Sequence, residues 1–532
     1  MEMRRGYVVL LTTVMTAGIL AGCGGGADVK KAEVKEDKTI STSGFPIVKE
    51  PITLKVFAGK SPSAPNDWNN VEVWKEYAKM SNINIDWQLV PTESLAEKRN
   101  LTLAGGDLPD AFHTSRFSAE DLLNYGGQGL FIPLNDLIKK YAPNFQKMMD
   151  QYPEIKKAIT MTDGKIYSLP SFYDPSFMSV RTGSQLWLNK KYLDTMNMKE
   201  PTTTEEFYQY LKAIKTKDPN GNGKNDEIPY AASGYAALLD HLKGSWGLGN
   251  RGLAHSRVDV DPTTNKLRFI PMDGRYKELL EYMNKLYKED LFVKDILTLP
   301  GPEFLAKGKE GNYGSFMYTN AKVGFNVQQN DYIGALAFTG PHGDRLFSRA
   351  RPSVQDVGSF VITKNNKNPE ASLRWVDYFY SEEGSKMFFL GFEGKSFVMK
   401  NGKAEYADEI KQNQENLKKY VTFMGGYYPA MLTEKTFTGG ESDPDNIAAT
   451  KKNEAYWPKD VWGPFKYTAE ELPRFNALSA DINNYVNEMT TKFIMGAAPF
   501  SEWDTYTATL KKMGIEEYLK IYTAAADRYN KP

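Results

Sequence analysis

The sequence predicts an α/β fold. Short apolar runs with the two-residue alternation of half-buried strands take turns with longer runs of helical spacing, the pattern of a sheet covered by helices. No segment repeats at a period of 20–50 residues, which excludes a solenoid or propeller. At 532 residues the chain suggests ~2–4 domains by the usual ~150-residue prior.

The amino terminus reads as an export signal. Arg4 and Arg5 precede a largely apolar run from Tyr7 to Leu20, and small residues lead into Leu20-Ala21-Gly22-Cys23. The run is short for a transmembrane helix, which needs ~20 apolar residues. Cys23 is the only cysteine of the chain, and its thiolate is the strong side-chain nucleophile that a diacylglyceryl thioether requires. Residues 1–22 are therefore expected to be a lipoprotein signal peptide, with Cys23 the lipidated first residue of the mature chain. An ordinary secretory signal or an uncleaved anchor is the alternative. From Gly24 to Phe45 the sequence is Gly-rich, then dominated by Lys, Glu, Asp, Ser and Thr. It has too little apolar surface to offset its ordering entropy, so residues 23–45 are expected to be a flexible tether. Folded structure is expected from Pro46.

Elements follow in order. Ile52–Phe57 alternates as a strand, Val71–Met80 is helical, and Ile83–Val90 is a second strand. Helix returns from Thr92 to Leu103 and stops at Gly105-Gly106. A short apolar run, Ala111-Phe112, comes next. Thr162–Lys165 reads as a turn between short strands, followed by Ile166–Pro170. Gln185–Asn189 is a strand leading into a helix over Lys190–Met196. Thr202–Thr204 can cap the next helix, with Glu205 and Glu206 favourable in its first turn. That helix runs to Lys217.

Composition narrows the function. With 66 basic and 66 acidic residues, no global field draws nucleic acid or anionic lipid. A single cysteine leaves no internal disulfide, so the exported body must stand on its core. The four histidines (His113, His241, His255 and His342) are too scattered for a metal or triad motif. Aromatic residues make up 13% of the chain, and Trp and Tyr suit ligands with both apolar and polar faces.

The loop Asp218-Pro-Asn220-Gly-Asn222-Gly-Lys224-Asn-Asp226-Glu227 places oxygen-bearing side chains at positions one, three, five, nine and ten. Gly221 and Gly223 let the backbone curl. A hard cation such as Ca²⁺ takes 6–8 oxygens, backbone carbonyls included. Asp218, Asn220, Asn222, the carbonyl of Lys224, Asp226 and Glu227 could supply them, as a structural site. Position twelve is Pro229 rather than Glu, so the loop starts like an EF-hand and does not finish like one. A polar Asn-Gly turn without an ion is the other reading.

Several short stretches, taken in order, resemble extracellular solute-binding protein family 1, the substrate receptors of carbohydrate ABC importers. They are Leu20–Cys23, Gly106–Asp110, Asp163–Tyr167, Leu186–Lys191, Pro201–Thr203, the Asp218–Glu227 loop, Gly358–Ile362, Glu393–Lys395, and Trp503-Asp504 with Lys511–Gly514. They cover nearly the whole mature chain, and within the family the chain is most similar to the large lipoprotein branch related to the alginate-binding proteins. The resemblance implies a type 2 periplasmic-binding-protein-like fold, two α/β lobes joined by hinge segments with a ligand cleft between them. It places lobe 1 at 46–178 and 352–425 and lobe 2 at 179–351 and 426–532, with hinge crossings near Met178–Arg181, Arg351–Gly358 and Gly425–Pro429. It also assigns the six calcium ligands just named. Implied partners are an oligosaccharide, the ABC permease subunits and the membrane through the lipid anchor; nucleic acid is not among them, and a monomer is expected.

Sugar rings need aromatic faces and planar polar partners. Aromatics in turn or junction context are the candidates: Trp68 beside Asp67, Tyr173, Tyr235, Trp246, Tyr318 and Trp462, with Arg351 as a clamp for an acidic sugar. Trp74, Trp87, Trp187 and Trp375 read as core. Two other functions compete, an exported calcium-containing glycoside hydrolase and a surface adhesin or chaperone. No G-x-S-x-G or H-E-x-x-H occurs, and the G-x-G-x-x-G at Gly247, Gly249 and Gly252 follows a helical stretch rather than a strand, so it is a poor dinucleotide site. The expectation is a receptor, not an enzyme.

Overall fold

The computed structural model of the protein describes residues 40–62, 64–325, 331–422 and 428–531. The signal peptide, Cys23, the tether up to residue 39 and most of the third hinge crossing lie outside these residues. Strands β1 (Ile52–Lys60), β2 (Ile83–Pro91), β3 (Ala111–Phe117) and β4 (Ser168–Tyr173) come first. Next are β5 (Gln185–Asn189), β6 (Ile228–Ala231), the hairpin β7 (Val258–Val260) and β8 (Leu267–Phe269), β9 (Tyr313–Tyr318) and β10 (Tyr332–Gly334). The chain then returns through β11 (Val354–Ile362), a second hairpin of β12 (Phe397–Lys400) and β13 (Lys403–Tyr406), and the short β14 (Met431–Leu432).

Besides the two hairpins, two larger sheets result, one per lobe. The first has the order β14-β4-β11-β3-β1-β2, with β1 parallel to β2 and β3 while β11 runs antiparallel to β3 and β4. The second has the order β10-β5-β9-β6. Every residue of β5 is buried, as expected of a strand covered on both faces. Its Trp187 indole N–H donates to the carbonyl of Tyr318 at 3.1 Å.

The chain leaves the first sheet after β4 and comes back with β11. The two crossings touch: Arg351 N–H donates to the Arg181 carbonyl at 3.0 Å, and Arg181 Nε donates to the Arg351 carbonyl at 2.9 Å. Gly183, at φ +61°, sits against them, where a Cβ would fall 2.8 Å from the Arg351 guanidinium carbon. Only glycine allows both the backbone angle and that approach.

The first lobe's core is aromatic. Trp68, Trp74, Trp87 and Trp375 gather around His113, with ring centres 4.8 Å apart for Trp68–Trp87 and 5.6 Å for the stacked Trp74–Trp375 pair. Burial holds His113 neutral by lowering its pKa to about 3. In the second lobe, the helices Leu472–Met495 and Ile515–Asn530 pack over the helix Gly274–Lys288 and the β7–β8 hairpin. Asn284 secures them by donating to the carbonyls of Phe493 and Ile494 at 3.1 and 2.9 Å. Among the described residues, no helix is long and apolar enough to cross a membrane.

Four local expectations change. Residues 40–45, expected in the tether, belong to the fold: Ile40 pairs with Val48, and Phe45 sets its ring edge-on against Tyr77 and Tyr378. The helix expected from Thr92 starts at Leu95 after a single 3₁₀ turn, with Ser94 outside helical angles at φ −107°, ψ 5°. The strand expected at Ile166–Pro170 occupies Ser168–Tyr173. The apolar pair Ala111-Phe112 opens a strand of seven residues, whose later positions are polar yet mostly buried. Its Thr114 and Arg116 both adopt φ near +53°, a conformation that apolar patterning does not announce.

Candidate functional site

A cavity of about 710 Å³ lies between the lobes at the hinge. Lobe 1 contributes Arg116–Glu120, the returning strand contributes Arg351 and Val354–Val357, and the second lobe contributes Leu253–His255 and an aromatic wall. Each part has a local cause. Left-handed backbone at Thr114 and Arg116 breaks the pleat at the end of β3 and leaves the Arg116 side chain exposed. Ser118 then starts a helix at the cavity rim with a capping box: its Oγ accepts from Asp121 N–H, and Asp121 accepts from Ser118 N–H, both at 3.1 Å.

The aromatic wall comes from Phe465 and Tyr467, in a segment without regular structure, and from Phe475, Tyr518 and Tyr522 on the carboxy-terminal helices. Tyr467 stacks on Phe475 with ring centres 3.9 Å apart, and Phe475 on Tyr518 at 5.3 Å. His255 stacks on Phe465 at 3.9 Å. Its Nε2–H donates to the Gly463 carbonyl at 2.8 Å, so its Nδ1 is free to accept the Tyr522 hydroxyl proton. Burial lowers its pKa to about 4, and the ring is neutral at physiological pH. The wall is thus flat, apolar and uncharged, suited to the C–H face of a sugar ring.

Of the residues singled out from the sequence, Arg351 lines this cavity. Trp462 stands one layer behind, buried against Phe465 at 5.0 Å with the Arg251 guanidinium over its ring. The other candidates lie elsewhere. Trp68 is fully buried in the first lobe's aromatic core, and Asp67 caps the short turn that carries it, accepting from Asn69 N–H. Tyr173 is buried on β4. Tyr235 bonds Thr491 through its hydroxyl at 2.6 Å, Trp246 packs on Tyr282, and Tyr318 stacks on Phe325. Tyr173 and Tyr318 end strands, while Trp68, Tyr235 and Trp246 lie at short helical turns. The wall residues that sequence reading missed had one available signal: Gly463-Pro464-Phe465-Lys466-Tyr467 alternates aromatics beside Gly and Pro, outside any helical period.

The Asp218–Glu227 loop closes on itself. Asp218 accepts from the N–H groups of Gly221, Asn222 and Gly223 at 2.8, 3.2 and 2.7 Å. Asp226 accepts from the side-chain amides of Asn220 and Asn222, and Glu227 Oε1 from Asn220 N–H at 3.2 Å. Glu227 Oε2 is buried with no hydrogen-bond partner among the described residues. The three carboxylates press on one point, for together they help raise the pKa of Tyr192 to about 12, behind the larger effect of burial. Among the described residues, no three His, Cys, Asp or Glu side chains already form a metal cage. The donor set is nevertheless all oxygen, and the buried Glu227 oxygen is left without a hydrogen-bond donor among the described residues. The residues fit a hard cation such as Ca²⁺.

The family model for bacterial extracellular solute-binding protein matches residues 68–386. The fructooligosaccharide ABC transporter substrate-binding protein FusA of Streptococcus pneumoniae is 30% identical over 98% of this chain and 97% of its own length. The polygalacturonan/rhamnogalacturonan-binding protein YtcQ of Bacillus subtilis is 24% identical over 97% of this chain and 98% of its own. Among solved structures, an EF-hand mutant of S. pneumoniae FusA in complex with fructo-nystose superposes with a TM-score of 0.76 and 27% identity, covering 90% of this chain and 99% of that one. The alginate-binding protein AlgQ2 without calcium ion shares the fold, with a TM-score of 0.73 and 24% identity over 91% of this chain and 99% of that one.

Proposed function

The chain belongs to the bacterial extracellular solute-binding proteins, and from that premise we propose that it is the oligosaccharide receptor of an ABC importer. The observation that carries this reading is the interlobe cavity, walled on one side by stacked aromatic rings and on the other by Arg116, Arg351 and Asp356. A ligand touching both walls favours the closed arrangement of the lobes, and only such differential contact can shift their equilibrium. The closed form is what a permease would read. Sequence similarity to FusA makes fructooligosaccharides the first ligands to try. Trp462 supports the aromatic wall, and Arg351 positions the ligand beside the hinge.

Two further features complete the proposal. Cys23 carries the lipid that tethers the receptor to the outer face of the membrane. Asp218, Asn220, Asn222, the Lys224 carbonyl, Asp226 and Glu227 hold a structural calcium ion, a reading supported by their oxygen chemistry and by the EF-hand named for FusA. The sugar passes through unchanged, since the role is binding. A thermal-shift and calorimetric screen of the domain from residue 40 against oligosaccharides tests the function. A saturating ligand at 100 times its Kd should stabilise by about 2.7 kcal/mol and be recovered intact; recovery of cleaved sugar would establish a hydrolase instead.

A further inference from the structure

The segment Gly463–Tyr467, which carries Phe465 and Tyr467 of the aromatic wall, is held by both lobes. On the second lobe's side, the Tyr529 hydroxyl accepts the N–H of Gly463 at 2.9 Å, and Arg528 donates to the Lys466 carbonyl through Nε and a terminal nitrogen at 3.1 and 3.0 Å. Both residues lie on the helix Ile515–Asn530. The Lys466 side chain runs the other way. Its Nζ donates to the carbonyls of Lys157 and Thr160, the latter at 2.6 Å, at the carboxyl end of the helix Pro153–Ile159. That helix packs on β4 and β11 of the first lobe's sheet. Two neighbours repeat the crossing. The Thr162 hydroxyl donates to the Tyr467 carbonyl at 3.2 Å, and the Lys157 ammonium lies 4.1 Å from the centre of the Tyr529 ring.

A cation suits the carboxyl end of a helix, where carbonyls are left without intrahelical donors. The placement is nevertheless costly. Lys466 is half-buried with the like charge of Lys157 near it, and among the described residues no carboxylate pairs with it. Burial, then Lys157, lowers its pKa to about 8, so the amine is still charged at neutral pH. An exposed lysine would keep its hydration; this one exchanges it for bonds across the lobes. Rotation of one lobe against the other must either carry the wall along or break those bonds.

We infer that Lys466 is a positioning residue of the cleft, its ammonium fastening the Phe465–Tyr467 wall to the opposite lobe so that the wall stands in register with Arg116 and Arg351 when a sugar enters. This rests on the receptor reading above. Lys466 acts through Phe465 and Tyr467, its neighbours in the chain, which line the cavity. Hydrogen bonds from a charged donor are stronger and more directional than ring packing. Without them the wall has room to shift, and a site held loosely by its supports loses affinity.

Calorimetry with kestose, nystose and maltotriose on the wild type, Lys466→Met, Lys466→Arg and Thr162→Val tests this, alongside denaturant melts and hydrogen exchange of the unliganded proteins. Lys466→Met keeps the apolar stem and loses the donor. It should bind the sugar that the wild type takes about tenfold more weakly, and the amides of residues 463–468 should exchange faster. Lys466→Arg keeps a charged donor and should recover most of that affinity. Thr162→Val removes the neighbouring tie without removing a charge and should weaken binding in the same direction by less; it decides the matter if Lys466→Met does not fold. A purely structural role gives another pattern, a lower unfolding midpoint in Lys466→Met with affinity and exchange of the wall unchanged. That pattern, a loss that Lys466→Arg leaves unrepaired, or full affinity in Thr162→Val where Lys466→Met is unfolded, overturns the inference while the receptor reading stands. Silence of the wild type toward every sugar overturns both.

Discussion

The hydrogen-bond relay at His255 shows how single residues keep the cleft wall flat. Gly463 fixes the tautomer by accepting from Nε2, and Tyr522 supplies the donor for Nδ1. Tyr522→Phe removes that donor and leaves a buried acceptor unpaired, so stability should fall by about 1–3 kcal/mol. Denaturant melts measure it, and an unchanged midpoint would show that the relay is dispensable. Tyr467→Ala breaks the stack with Phe475 and Tyr518. It should weaken sugar binding about tenfold or more, on the scale of one lost aromatic contact. Titration with the ligand found in the screen decides this, and full affinity in the variant would remove Tyr467 from the site.

At the level of elements, the Asp218–Glu227 loop carries the clearest prediction. Three carboxylates and two carboxamides close around one point. Bound calcium should stabilise the second lobe by linkage, about 2.7 kcal/mol at 100 times Kd. Chelator should lower the melting point of the wild type and leave Asp218→Ala, already destabilised, unmoved; a melting point indifferent to chelator would leave a plain turn. The closed turn of this loop was legible in the sequence because Asp, Asn and Gly at this spacing favour it. The strands β1, β2 and β5 were legible because their periodicity is apolar. The cleft was not. Its wall draws on β3 where two residues turn left-handed, on an irregular segment around Phe465, and on the two helices Leu472–Met495 and Ile515–Asn530. Nothing local says that Tyr522 faces Arg116's side of the cleft while Trp68, in an equally turn-like context, sinks into a core of four tryptophans. Convergence of distant elements is tertiary information, and periodicity carries none of it.

Across the whole molecule, buried ionisable groups set a common dependence of stability on pH. Burial lowers His113 and His241 to about 3 and His255 to about 4. In the unfolded chain each titrates near 6.5, so their stabilisation is complete above that pH and is lost as pH falls below it. Asp356 and Asp377 work in the opposite sense. Burial raises both to about 6, so the native state takes up two protons that unfolded aspartates bind only near 3.9. Their contribution is present at low pH and is lost as pH rises through 6. At pH 5.5 the unfolded state holds nearly three histidine protons and the native state between one and two aspartate protons. The histidines therefore win by about one proton, and stability should fall by about 1.4 kcal/mol per pH unit between pH 6.5 and 5. Urea unfolding at half-unit steps measures the slope. Asp356→Asn should steepen it, because it deletes one of the opposing carboxyls. A flat profile in the wild type would mean that the histidines do not outweigh the raised carboxyls, to which the buried Glu441 also belongs.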